Sequence, residues 1–137
     1  MIGPANGGLY QITVDFIKGK YTVTPITGLN PIPANLFIVG DATAGQWSNP
    51  VPLPTQQFKQ LSNGEFQISI PLTTAKSYLF LPVNGDWSHK YGGASATGGD
   101  LLADSSVPSS NTPAPATTGN YLLYVNFFTL KYTVTKQ

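Results

Sequence analysis

Two tryptophans carry the clearest chemistry in this sequence. Trp47 lies in GDATAGQWSNP and Trp87 in NGDWSHKYG, each just past an apolar stretch and surrounded by polar residues. An indole face is flat and apolar, as is the C–H face of a sugar ring, so the two stack. Neighbouring amides, carboxylates and ammonium groups can then bind the hydroxyls. Gln46 and Asn49 flank Trp47, while Asp86, His89, Lys90 and Tyr91 flank Trp87. Trp47 with Gln46 and Asn49 is the first candidate ligand site, and Trp87 with Lys90 and Tyr91 the second. The competing reading is that a loop tryptophan folds back to cap the core. For Trp87, anchoring of its own loop is the favoured role.

Proton-transfer and metal chemistry is poorly represented. His89 is the only histidine, and neither a metal site nor a Ser-His-Asp triad can be assembled around it. A glycosidase needs two carboxylates flanking the scissile bond. Among Asp41, Glu65, Asp86, Asp100 and Asp104, only Asp86 with Asp100 suggests such a pair, and turn capping accounts for both more simply. Asp100 and Asp104 could approach Ca²⁺ with loop carbonyls, but no EF-hand spacing exists. There is no cysteine, hence no disulfide, zinc–thiolate site or thiol nucleophile. No catalytic residue, cofactor or metal ligand is therefore assigned, and the chain is not read as an enzyme. Seven lysines, no arginine and six acids give a net charge of +1 without the basic stripe that nucleic-acid binding requires. No run of apolar residues is long enough for a membrane-spanning helix, and the start, MIGPANGG, lacks an apolar signal segment.

The elements that must hold these loops are announced by a repeat. GLYQITVDFIKGKYTVT at residues 8–24 returns as GNYLLYVNFFTLKYTVT at residues 119–135. Gly8, Tyr10, Val14, Phe16 and the run KYTVT recur at equivalent places, and Pro4-Ala5 recurs as Pro115-Ala116. Each copy reads as a β-hairpin: Tyr10, Ile12, Val14 and Phe16 alternate with Gln11, Thr13 and Asp15, the period of a half-buried strand. Lys18-Gly19 is the first turn; the second, Thr129-Leu130, lacks the glycine. The spacing of the copies is domain-sized, which suggests tandem domains. Residues 1–27 are then the end of a preceding unit, 28–34 a Pro-rich linker and 35–137 a complete domain. The chain is accordingly expected to be a fragment of a longer protein. A lone hairpin is marginal in water, so the first one is expected to pack on a neighbouring molecule or across the linker, giving a route to self-association.

Between the copies, Leu36–Val39 and Ser77–Leu81 read as buried strands. Residues 58–61 and 65–70 flank Ser62-Asn63-Gly64, a strong hairpin signal. Residues 40–54 form a long loop, and residues 92–118 another, with a short strand near Leu101-Leu102. No helical period is present. Six to eight short strands with frequent turns predict an all-β fold, an antiparallel, immunoglobulin-like β-sandwich.

LFIVGDATAGQW at residues 36–47, YLFLPVNGDWSHKYGG at residues 78–93 and the closing GNY…KYTVT occur in that order. In these motifs the chain resembles one unit of the SusE/SusF-type outer-membrane lipoproteins of bacterial starch-utilisation systems. The resemblance implies tandem β-sandwich domains on a lipid-anchored protein of the outer membrane at the cell surface, which bind glycans without catalysis. It places Trp47 at the sugar-stacking position. It also places Leu79 where the family pattern has a sugar-binding Lys. The expected function is a non-catalytic carbohydrate-binding module for starch or another polysaccharide, with other outer-membrane glycan-uptake proteins as further partners. The alternative is a structural spacer or protein–protein module without ligand, which Leu79 favours.

Overall fold

The computed structural model describes residues 10–25 and 31–137. The chain divides into two units, Met1–Pro31 and Ile32–Gln137. In the first, β1 (Tyr10–Asp15) and β2 (Lys20–Pro25) pair antiparallel as a two-stranded sheet, with Val14 opposite Tyr21. Ile12, Val14, Phe16, Ile17 and Tyr21 of this hairpin are exposed. What pairs with the first hairpin lies beyond the described contacts of its unit.

The second unit is an antiparallel β-sandwich. Its strands are β3 (Phe37–Val39), β4 (Lys59–Ser62), β5 (Glu65–Leu72), β6 (Ser77–Leu81), β7 (Tyr91–Gly92), β8 (Gly98–Asp100), β9 (Leu102–Ala103), β10 (Thr112–Pro113), β11 (Gly119–Asn126) and β12 (Lys131–Lys136). One 3₁₀ turn, η1 (Asp104–Ser106), follows β9. The first sheet is centred on β6, which pairs with β3 on one side and with β7 and β10 on the other, β7 pairing in turn with β9. The second sheet runs β4-β5-β11-β12-β8. This unit runs from Ile32, which packs against the core.

The two faces of β6 explain its unbroken apolar run. Tyr78 and Phe80 point between the sheets, against Phe66, Tyr132 and Leu123 in the main core. Leu79 and Leu81 point the other way and join Phe37, Val39, Val51 and Val107 in a second apolar cluster. A strand covered on both faces needs no polar alternation. β5 and β11 have one covered face and alternate as expected, Phe66, Ile68 and Ile70 opposing Val125, Leu123 and Tyr121.

Residues 92–118, expected as a loop with one short strand, contain three short strands and part of a fourth. Backbone fit rather than side-chain pattern makes them. Gly98, at φ +124, lies so close to β12 that a Cβ would stand 2.5 Å from the Tyr132 carbonyl oxygen, so only glycine brings β8 into the ladder.

The two hairpins match in register and in turn. Tyr10 faces Pro25 as Tyr121 faces Lys136, and Asp15 faces Lys20 as Asn126 faces Lys131. The Asp15 carboxylate accepts N–H bonds from Ile17 and Lys18, and the Asn126 amide oxygen accepts them from Phe128 and Thr129. Gly19 sits at φ +63; Leu130, its counterpart, sits at φ +53. A branched side chain in the left-handed region costs about 1–2 kcal/mol. Leu130 is 40% exposed and has little packing to lose. Leu130→Gly is therefore expected to stabilise the sandwich by roughly 0.5–1 kcal/mol, part of the gain being offset by glycine's greater unfolded-state entropy. A urea midpoint unchanged or lowered would show that the leucine packs more than its exposure suggests.

On the outer face of the second sheet, Glu65 accepts hydrogen bonds from Ser62, Tyr124 and Asn126. The Ser62 hydroxyl, and after it that of Tyr124, hold the Glu65 carboxyl below its usual value. A depressed carboxyl contributes stability that is full above its unfolded pKa and is lost as pH falls through the folded value. Glu65→Gln is thus expected to lower stability at neutral pH and to lose less of it below about pH 4.5, so that the two proteins converge in acid. Thermal melts at pH 3 and 7 measure it, and equal acid sensitivity in both proteins would remove Glu65 as the cause.

Candidate functional site

The candidate loops grow from the ends of β3 and β6. After β3, Gly40 accepts no side chain: at φ +150, its Cβ would lie 2.3 Å from the Ser77 carbonyl oxygen. The chain then turns, with Gly40 N–H donating to the carbonyl of Gln46 at 2.9 Å and Gln46 at φ +51. Asp41 accepts the Ser77 N–H at 2.9 Å, fixing this turn to the start of β6. After β6, the chain turns at Gly85 (φ +94) and reaches Trp87.

These two loops are bonded together. Gly85 N–H donates to the Asn49 side-chain oxygen at 2.7 Å, and Val51 N–H to the Asn84 side-chain oxygen at 2.7 Å. The Asn84 amide returns a bond to the Val51 carbonyl at 3.4 Å. Asn49, expected as a ligand contact beside Trp47, thus has its oxygen committed to positioning the Trp87 loop. Its Nδ2 is buried without a hydrogen-bond partner among the described residues.

Trp47 is 38% exposed and Trp87 is 48% exposed. The indole of Trp87 edges an open cleft of roughly 590 Å³, lined also by Leu79, Ser88, Lys90, Asp104, Ser105, Val107 and Ser109. Leu79 and Val107 are buried members of the second apolar cluster and give the cleft an apolar base. The serine hydroxyls, the Lys90 ammonium and the Asp104 carboxylate supply its polar lining. Trp47 and Gln46 are exposed outside this lining.

Asp104 organises one wall. Its N–H donates to the Lys90 carbonyl at 2.8 Å, and its carboxylate accepts the Lys90 N–H at 3.1 Å. It stands at φ +49, a left-handed conformation that Asp and Asn tolerate. His89 Nδ1 faces the same carboxylate at 3.3 Å. The Asp86 carboxylate accepts the hydroxyl and the N–H of Ser88 at 2.7 and 2.8 Å, which hold its carboxyl below the usual value. Lys90 makes no salt bridge among the described residues.

Tyr91 belongs elsewhere. It is 4% exposed, with its ring edge-on to Phe127 at 4.9 Å, so the sixth expected ligand residue is a core aromatic. Its position on β7, paired with β6 and β9, turns it inward. Asp86 and Asp100 have separate partners, Ser88 for the first and Lys131 on the second sheet for the other, so no carboxylate dyad assembles from them. Among the described residues, no group of three or more His, Cys, Asp or Glu converges.

The lining that sequence reasoning left out is Asp104, Ser105, Val107 and Ser109. These residues reach Trp87 because β9 pairs with the two-residue β7, Tyr91 opposite Ala103. Strands that short leave no periodic signal. No protein-family model matches the chain. No curated protein matches it either.

Proposed function

We propose that the unit spanning residues 32–137 is a non-catalytic carbohydrate-binding module whose stacking platform is Trp87. The observation that supports it is the exposed indole beside a cleft with an apolar base and a rim of hydroxyl, ammonium and carboxylate groups. A pyranose ring has matching chemistry: an apolar face for Trp87, above the buried Leu79 and Val107, and equatorial hydroxyls for Lys90, Asp104 and the serines. The tandem repeat and the GDATAGQW and GDWSHKYGG motifs suit a surface glycan-capture lipoprotein of the SusE/SusF type, working beside other outer-membrane uptake proteins. Affinity electrophoresis through gels holding single polysaccharides tests this. Retardation by at least one glycan, relieved by Trp87→Ala, is expected; full mobility in every gel would overturn the proposal.

A spacer role is the second reading. The observation favouring it is the burial of Leu79 in the apolar cluster, which leaves β6 without a cation at the cleft. Binding to no glycan by a folded protein would select it.

A further inference from the structure

We propose that the first hairpin is an interaction surface, made to close a second β-sandwich of the plan seen at residues 32–137 but with no acid at the place of Glu65. The inference is independent of the carbohydrate reading. It starts from what covers the same residues in the other copy. Leu123, Val125, Phe127, Tyr132 and Val134 are each at most 7% exposed, while their counterparts Ile12, Val14, Phe16, Tyr21 and Val23 are between 39% and 90% exposed. The two hairpins share register and turn, so the first presents a core face that the described residues leave open. A two-strand face six residues long measures about 20 by 10 Å. Two such faces stacked on each other fall short of the roughly 1,000 Å² that a specific interface buries. A slot in a sandwich adds backbone pairing along both edges.

The second unit shows what such a slot supplies. Along β11 it supplies β5, with Asn126 opposite Glu65 and Val125 opposite Phe66. Along β12 it supplies β8, with Lys131 opposite Asp100 and Tyr132 opposite Gly99. Lys131 pairs with the Asp100 carboxylate, and the Tyr132 hydroxyl donates to the Ser95 carbonyl. Lys20 and Tyr21 keep both side chains, so the partner matches them with an acid and a carbonyl beside β2. The other edge differs. Tyr124 and Asn126 both donate hydrogen bonds to Glu65. Their counterparts are Thr13 and Asp15, and an ionised carboxylate cannot donate. Asp15 opposite Glu65 would set like charges directly across a ladder, which is destabilising. The first hairpin is thereby barred from the slot of a second copy, and the partner presents a donor to Asp15.

A graft in the full chain tests this, with the sequence of residues 8–24 placed at 119–135. The graft alone is expected to have a lower urea midpoint than the native protein. Adding Glu65→Lys puts a donor opposite the grafted carboxylate and is expected to raise that midpoint in a single cooperative transition. In the native chain Glu65→Lys is expected to lower the midpoint, because the bonds from Tyr124 and Asn126 are lost. A graft that stays unfolded with Glu65→Lys would show that the first hairpin does not carry a sandwich-core face, and would overturn the proposal. A fall on Glu65→Lys in both backgrounds would overturn the chemistry assigned to the partner. Sedimentation equilibrium of the native chain is expected to show a monomer; a dimer that Phe16→Ser dissolves would make a second copy the occupant and overturn the partner proposed.

Discussion

Trp87→Ala is expected to weaken glycan binding roughly 10- to 100-fold without unfolding the protein. Stacking a sugar on an indole face removes on the order of 100 Å² of apolar surface from water, worth about 2–3 kcal/mol at ~25 cal/mol per Å². Each 1.4 kcal/mol is about a factor of ten in affinity. The side chain is half exposed in the free protein, so its loss opens no core cavity. The loop around it is held by backbone bonds to Asn49 and by the Asp86–Ser88 turn, which the substitution leaves alone. Trp87→Phe keeps a smaller stacking face and should recover part of the affinity. Trp47→Ala is expected to have the smaller effect, because Trp47 lies outside the cleft lining. Calorimetric titration of the three variants orders them; a larger loss at Trp47 than at Trp87 would move the site to the first loop.

Phe80→Ala is expected to destabilise the sandwich by about 3–5 kcal/mol, the usual cost of truncating a fully buried phenylalanine. Phe80 is fully buried on the central strand of the first sheet, and its ring meets those of Phe58, Tyr78 and Tyr132 at 5.5, 5.5 and 6.1 Å. Phe58 and Tyr132 reach it from outside its own sheet, so its removal loosens the contact between layers. Rigid strands on all sides prevent collapse into the void. A domain of about 100 residues loses roughly 4–8 °C of Tm per kcal/mol, so a drop of roughly 12–40 °C follows. Glycan affinity, measured well below the melt, should change far less, because Leu79, on the other face of β6, supports the cleft through the second apolar cluster. A Tm within about 3 °C of the native value would show that the ring packs much less than its burial indicates.

The parts of the fold legible in the sequence were those with side-chain periods. Alternation gave β1, β5 and β11, Asn63-Gly64 gave the β4–β5 turn, and the unbroken run at residues 77–81 gave β6. The repeat went further, since both copies share register, an Asx-capped turn and a left-handed fourth turn residue. Strand β9 falls where a short strand near Leu101-Leu102 was expected, but β7, β8 and β10 were hidden because they are two or three residues long, and in β8 glycine replaces side-chain pattern with close backbone approach. The site was half legible. Trp87 and Lys90 announce themselves by type and neighbourhood. Asp104 does not, because it is brought to Lys90 only by the β7–β9 pairing. Tyr91 misled because, in a polar stretch, a tyrosine on a two-residue strand looks the same whether it faces sugar or core.

Stacking of a sugar on Trp87 is most directly tested by ¹H–¹⁵N spectra of the labelled protein titrated with the tightest-binding oligosaccharide. The predicted shifts centre on the Trp87 indole N–H and on the amides of Ser88, Lys90, Asp104, Ser105 and Ser109, with the Trp47 indole moving less. Saturable shifts centred on Trp47, on the outer face of β11 and β12, or on the first hairpin, with the Trp87 indole unmoved, would contradict it.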